Sequence, residues 1–295
     1  MCLNRLVRLG ETLRTAIQQL TQNGVPSPRM NAELLLMFIL DCDRAYLYGH
    51  PERELTPDEE SRYSIALAKR STGVPAQYIT GHQEFWGMDF IVSPAVLIPR
   101  PETEHVIEEV LKLARAPHDS PARKLRIIDV GAGSGCIALA LAKELPEAEI
   151  HAVDISPAAL EIGRANAARN QQAQRVHFHE GDLLSGIEPE SFDFVVSNPP
   201  YVGESEEEQV QLEVRKFEPR MAVFAGHSGL DIIRRLIPQA QHALRPSGWL
   251  VMEMSGTIAD QARQLVADWN GVHIINDLQS IPRVLAAQKR PLVRQ

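Results

Sequence analysis

Apolar residues recur at helical spacing over the first eighty positions. Leu6, Leu9, Leu13, Ile17 and Leu20 predict a helix over 4–23. Ser27 followed by Pro28 predicts an N-cap and first turn for a second helix carrying Leu34, Leu35, Leu36, Phe38 and Ile39. Asp43 is placed to cap a short third helix through Tyr46 and Leu47. Thr56-Pro57-Asp58-Glu59 reads as a capping box for a fourth helix that runs to about Arg70 and stops before Gly73 and Pro75. Residues 1–80 therefore read as a small helical domain; an N-terminal extension packed on a larger domain is the alternative.

The pattern then changes. Phe85, Trp86, Phe90, Ile91 and Val92 around Gly87 predict a hairpin, and Leu97-Ile98-Pro99-Arg100-Pro101-Glu102-Thr103-Glu104 predicts a stiff extended segment before a helix over 104–114. Residues 81–104 are thus a hairpin and linker. Residues 115–124, with Pro117 and Pro121, read as a polar loop. From 125 onward short apolar runs alternate with helical patterns. Strands are predicted over 125–130, 149–153, 175–180, 192–197, 247–254, 272–276 and 284–288, and helices over 134–145, 157–171, 228–244 and 257–270. Such alternation implies an α/β domain over 105–295 with a mostly parallel seven-stranded sheet covered on both faces. The acidic run Glu204 to Glu208 reads as a solvated loop or first helical turn.

Composition narrows the class. The chain has 295 residues, 44% hydrophobic and 23% charged, ordinary for a soluble globular protein. Its apolar runs are too short to span a bilayer, and Arg5, Arg8, Glu11 and Arg14 interrupt any leader-like stretch, so a cytoplasmic protein without a membrane partner is expected. The net charge of −8 argues against tight non-specific nucleic-acid binding, which needs a basic surface. The three cysteines, Cys2, Cys42 and Cys136, are widely spaced and suit neither a disulfide framework nor a zinc site; no metal is expected. His177 and His179 alternate along one strand and read as surface residues.

Candidate chemistry sits at the predicted strand ends. Ile127-Ile128-Asp129-Val130 leads into Gly131-Ala132-Gly133-Ser134-Gly135 and then a helix. Glycines there let a ligand approach the backbone, and the helix start offers free N–H groups. Cys136 follows in a G-x-G-x-G spacing, which departs from the dinucleotide fingerprint. Asp154, about 20 residues on, is placed to accept from both hydroxyls of a ribose. An N-cap is the plainer role, but Ser156 before Pro157 fits that better. Asp182 in Gly181-Asp182-Leu183 is placed to accept from an adenine amino group, with Leu183 against the ring; a turn Asp after Gly is the alternative. Together these outline an adenosine-shaped pocket. The arrangement resembles class I S-adenosylmethionine-dependent methyltransferases, a Rossmann-like fold in which a residue placed like Asp129 supports the loop or faces the methionine amino group.

The run Phe192 to Val196 ends in Ser197-Asn198-Pro199-Pro200-Tyr201. Two prolines stop the strand and stiffen the exit from it. The Asn198 side-chain oxygen and the Pro199 carbonyl can accept the two N–H bonds of a planar amide or aromatic amine. They would fix its nitrogen at attack distance and place partial negative charge where that nitrogen turns positive. Tyr201 can lie against the planar group. A simple strand-end turn is the alternative.

Further stretches resemble one family. Tyr78-Ile79-Thr80-Gly81, Glu84-Phe85-Trp86-Gly87, the 97–104 segment, Arg215-Lys216-Phe217-Glu218-Pro219 and Ser280-Ile281-Pro282-Arg283 are similar to the release factor glutamine N5-methyltransferase family (HemK/PrmC) over nearly the whole chain. The resemblance implies methyl transfer from S-adenosyl-L-methionine to the side-chain amide of the Gln in the Gly-Gly-Gln loop of class I peptide-chain release factors. It implies that Gly131, Ala132, Gly133, Ser134, Gly135, Asp154, Asp182, Leu183 and Asn198 hold the cofactor, and that Asn198, Pro199, Pro200 and Tyr201 hold the substrate. It also implies that 97–104 covers the methionine end of the cofactor and that the N-terminal domain helps grip the release factor. A monomer is expected, though the sequence carries no signal of oligomeric state. Two departures from the family pattern are Leu183, where some members carry an aromatic, and residues 222–229, which are less glycine-rich and acidic. A DNA adenine or RNA guanine amino-methyltransferase would share the pocket and the Asn198–Tyr201 motif. The acidic balance and the helical N-terminus speak for the protein substrate. A cofactor-binding protein without catalysis would have no use for the rigid acceptor set.

Overall fold

The computed structural model describes residues 8–115 and 123–291. Cys2 and most of the predicted 115–124 loop lie outside the described residues. The helices in chain order are α1 Leu9–Gln22, α2 Pro28–Leu40, α3 Arg44–Gly49, α4 Pro57–Ser71, α5 Ala76–Thr80 and α6 Glu104–Ala114. They continue as α7 Cys136–Glu144, α8 Pro157–Arg169, α9 Leu212–Phe217, α10 Arg220–Val223, α11 Asp231–Ala243 and α12 Ala259–Leu265. The strands are β1 His82–Phe85, β2 Met88–Ile91, β3 Arg126–Val130, β4 Glu149–Asp154, β5 Val176–Glu180, β6 Phe192–Ser197, β7 Leu244–Glu253, β8 Asn270–Asn276 and β9 Pro282–Gln288. Among the described residues, no helix is long and apolar enough to cross a membrane.

The chain divides into two compact units, 8–81 with Leu212–Phe217, and the remainder. The first is helical. Leu9, Leu20, Leu35, Leu36, Leu47 and Tyr63 form its core. Its helix starts obey local chemistry. Asp43 accepts from the Tyr46 N–H at 2.8 Å, and Thr56 and Glu59 form the reciprocal capping box. Ser27 departs from expectation: it takes a left-handed conformation (φ 49°) and makes no cap bond. Asn31 Nδ2 instead donates to the carbonyls of Pro26 at 2.8 Å and Ser27 at 3.2 Å. The buried Arg70 guanidinium donates to Asn31 Oδ1 at 2.7 Å, the Val74 carbonyl at 3.2 Å and Glu213 Oε2 at 2.7 Å. The helix α9, contributed from far along the chain, thereby neutralises a charge inside this unit.

The second unit begins with the β1–β2 hairpin, in which Phe85 pairs with Met88 across Trp86 and Gly87. Both turn residues have positive φ (53° and 64°), as a two-residue turn matched to strand twist requires. The seven remaining strands form one sheet in the order β5-β4-β3-β6-β7-β9-β8. β9 alone runs against its neighbours β7 and β8; the other pairings are parallel. Helices cover both faces, so successive residues of one strand enter different cores: Ile127 belongs to one cluster and Ile128 to the other. Chain order reverses between β3 and β6, since β4 and β5 lie on one side of β3 and β6 on the other. Ligands bind at such a switch point, outside the carboxyl ends of the strands.

The expected seven-stranded α/β fold is thus present, with some shifted boundaries. β7 starts at Leu244, earlier than hydropathy predicts, and α12 ends at Leu265, before the predicted 270. The acidic run lies in a short 3-10 helix, Glu204–Gln209. α5, α9 and α10 are too short to give a periodic signal.

Candidate active site

Register brings the two candidate motifs together. Val130 at the end of β3 pairs with Ser197 at the end of β6, and the Ser197 hydroxyl donates to the Val130 carbonyl at 2.6 Å. The glycine loop and Asn198 therefore leave the sheet side by side. Gly131 to Ser134 and Asn198 line one cavity of about 300 Å³, together with Asp154, Asp182, Leu183 and Thr103; Gly135 does not line it.

The loop folds as glycine requires. Gly131, Gly133 and Gly135 have φ of 73°, 55° and 80°. Above Gly131 and Gly133 an added Cβ would meet nothing within 4 Å, so backbone conformation demands glycine there while the space above stays open. The Gly131 and Ala132 N–H groups donate to the Val153 carbonyl at 2.8 and 3.0 Å, which ties the loop to β4. Asn166, fully buried on α8, donates to the Ser134 carbonyl at 2.9 Å and exchanges bonds with the backbone of Ile91 in the hairpin. Sequence reading did not single out Asn166.

Asp154 accepts from the Gly133 N–H at 2.8 Å through Oδ2 and from the Ser156 N–H at 2.9 Å through Oδ1. Two carboxylate oxygens offer about four acceptor sites, so capacity for a diol remains. Ser156 caps α8 by accepting from the Ala159 N–H at 3.2 Å, the role assigned to it from sequence. Asp182 lines the cavity half-buried, paired with Arg235 at 2.5 Å. Leu183 has a positive φ of 55° and also lines the cavity.

Asp129 sits fully buried beneath the loop. Its Oδ2 accepts from the Ala138 N–H at 3.1 Å, and its Oδ1 has no partner among the described residues. Burial raises its pKa from 3.8 to about 7, with a further push from Asp154. Burial also raises the Cys136 thiol to about 12, so it stays protonated where it lines the cavity.

Asn198 and Pro200 line the cavity; Pro199 and Tyr201 do not, and Pro199 is buried. The Tyr201 hydroxyl donates to Glu253 Oε1 at 2.8 Å. Burial, reinforced by Glu253, holds the phenol well above its ordinary pKa of 10.0, so its phenolate is not available as a base. Asn198 Nδ2 donates to Thr103 Oγ1 at 3.0 Å.

Two stretches hold the rim. Glu218, almost fully buried, accepts from the Ile98 N–H at 3.2 Å and pairs with Arg100, which fastens the 97–104 segment over the cavity. Residues 222–229, whose role the sequence left open, run alongside the Asn-Pro-Pro-Tyr exit. The Val202 N–H donates to the Val223 carbonyl at 3.0 Å, and the Ala225 N–H donates back to Val202 at 2.9 Å. His227 in this stretch is exposed, as are His177 and His179. Ser280 and Ile281 lie in the β8–β9 turn and Pro282 and Arg283 open β9; Asp277 accepts from the Ile281 N–H at 2.9 Å and pairs with Arg283 at 2.8 Å.

Residues 11–81 match the PrmC N-terminal domain, and residues 113–216 match the methyltransferase small domain. The chain is 55% identical over 284 residues to the release factor glutamine methyltransferase of Koribacter versatilis, covering 95% of this chain and 98% of that one. It is 43% identical over 235 residues to the same-named protein of Geobacter sulfurreducens, 80% of each chain. A methyltransferase from Pyrococcus furiosus shares the fold, with a TM-score of 0.51 at 17% identity, over 80% of this chain and 100% of that one. With so close a match along nearly its full length, this chain belongs to the release factor glutamine methyltransferase family.

Proposed function

We propose that this chain methylates the side-chain amide nitrogen of the glutamine in the Gly-Gly-Gln loop of class I peptide-chain release factors. The methyl donor is S-adenosyl-L-methionine. The observation that carries the reading is the pairing of Val130 with Ser197, which sets an amide-binding motif beside an adenosine-type pocket in one cavity. The residues suit that donor. The open space above Gly131 and Gly133 admits a ligand against the backbone, Asp154 retains acceptor capacity for ribose hydroxyls, and Asp129 leaves one carboxyl oxygen without a partner beneath the loop. When bound, the donor supplies an electrophilic methyl group on a sulfonium sulfur.

The chain supplies position and charge. Asn198 Oδ1 and the Pro199 carbonyl accept the two N–H bonds of the glutamine amide and orient its nitrogen toward the donor. Partial negative charge then lies where positive charge develops on that nitrogen. The nitrogen would bond the methyl carbon as the sulfur–methyl bond breaks to leave a neutral thioether, and the nitrogen would then lose one of its protons to solvent. Tyr201 acts through its ring and its fixed place, since its hydroxyl is committed to Glu253. Leu183 packs on the adenine and Asp182 accepts from its amino group, in exchange for the half-exposed Arg235. The helical unit grips the release factor. Met30, Phe38, Tyr48 and Ile65 on it are large apolar side chains between 42% and 56% exposed and so available to a protein partner.

The test supplies isotopically labelled donor together with a release factor or, separately, with DNA and RNA. Label is expected in the release factor glutamine, located by peptide mass mapping. Label entering nucleic acid alone would transfer the assignment to the amino-methyltransferases of nucleobases.

A further inference from the structure

Beneath Asn198 runs a chain of hydrogen bonds that the methyl-transfer reading does not use. Glu253, at the end of β7, is 1% exposed, and Thr103, in the turn before α6, is 2% exposed. Glu253 Oε2 accepts from the Thr103 hydroxyl at 2.6 Å, and Oε1 accepts from the Tyr201 hydroxyl at 2.8 Å. Thr103 Oγ1 in turn accepts from Asn198 Nδ2 at 3.0 Å. Residues from three separate stretches are thus joined through one buried carboxylate.

The bonds have a forced direction. An ionised carboxylate only accepts, so each hydroxyl facing it must spend its single hydrogen there. Thr103 then has only lone pairs left for position 198. The amide must turn its NH2 toward Thr103, which leaves Oδ1 facing the cavity. A neutral group able to donate at position 253 would permit the opposite order. Thr103 would receive a hydrogen from below and pass its own to Asn198 Oδ1, and Asn198 would then present NH2 to a substrate amide that is itself a donor.

We propose that Glu253, acting through Thr103, is a positioning residue that fixes Asn198 as an acceptor, and that the same carboxylate anchors Tyr201. The proposal rests on the reading that Asn198 accepts from the substrate amide. Burial raises the pKa of Glu253, while the hydrogen bonds from Thr103 and Tyr201 lower it by favouring the ionised form; an amide at position 253 would satisfy the same geometry without enforcing the direction.

The experiment measures donor binding by calorimetry and steady-state methylation of a release factor for Asn198→Ala, Glu253→Gln, Thr103→Val and Thr103→Ser. Glu253→Gln and Thr103→Val are expected to lower kcat by about 100-fold, the order found when one preorganised polar partner of a reacting group is lost. Donor Kd and the KM for release factor are expected to stay within a few-fold of the parent. Thr103→Ser, which keeps the hydroxyl, is expected to recover most of the kcat lost in Thr103→Val. Parental kcat in Glu253→Gln or Thr103→Val alongside an inactive Asn198→Ala would overturn the relay and leave the acceptor reading standing. So would losses in donor affinity as large as those in kcat, because they would mark a merely structural role. Parental kcat in Asn198→Ala would remove the reading on which the relay rests.

Discussion

Asp129 shows how one residue links the fold to its chemistry. Its carboxyl is fully buried, bonded on one oxygen and orphaned on the other. Its pKa of about 7 in the folded chain lies above the ordinary 3.8, so between those values the folded chain holds a proton that the unfolded chain has released. Stability from this group is therefore fully present below about pH 4 and lost as pH rises through about 7. Asp129→Asn, neutral throughout, should gain on the parent by about 2 kcal/mol between pH 5 and pH 8 in the donor-free protein. Thermal or urea unfolding across that range checks it; a constant difference would show that Asp129 is not protonated in the folded state. The residue types of the cavity were legible because each has local chemistry: glycines before a helix, acids at strand ends, prolines that stop a strand. Thr103 and Glu253 were not, because nothing within a few positions of either signals a bond across 150 residues of sequence.

At the scale of elements, the strap 222–229 constrains the site through backbone contact. Gly229 has φ 76°, and a methyl group added there would lie 2.2 Å from the Tyr201 carbonyl oxygen. Backbone cannot swing aside as a flexible side chain can. Gly229→Ala should destabilise the protein by about 2 kcal/mol or more, from left-handed strain plus overpacking. It should also lower methyl transfer sharply, since a displacement of about 1 Å at a positioning group can cost about 100-fold. Unfolding and turnover measured together would expose the error if both stayed parental. Strands and long helices were legible from period, and their caps at Asp43 and Thr56 from short-range hydrogen bonding. Ser27 precedes α2 as expected but makes no side-chain cap bond, because its backbone is left-handed where a capping residue is normally extended; Asn31 Nδ2 separately satisfies the carbonyls of Pro26 and Ser27. The short helices α5, α9 and α10 are shaped by tertiary contacts rather than by periodicity.

At the scale of the whole molecule, the helical unit is not a continuous piece of chain. Glu213, over 140 residues beyond Arg70, supplies the carboxylate that the buried guanidinium needs. Glu213→Ala should leave that charge unpaired and destabilise the helical unit by about 3 kcal/mol, with Glu213→Gln costing less because its amide oxygen can still accept. Differential scanning calorimetry of the full chain checks this; equal stability of all three proteins would count against the ion pair. The sequence by itself determined the strands and long helices, the seven-stranded α/β class, and the glycine-rich and Asn-Pro-Pro-Tyr motifs that mark the candidate site, because each is written in contiguous residues whose periodicity or turn chemistry acts over one or two turns of chain. Only the tertiary structure decided that β3 and β6 are neighbours, that Glu213 closes the helical unit, and that Glu253 meets Thr103 and Tyr201 under Asn198. Those contacts join residues far apart in sequence, and they are selected by the burial of both sheet faces and by the need of each buried polar group for a partner, neither of which leaves a local pattern.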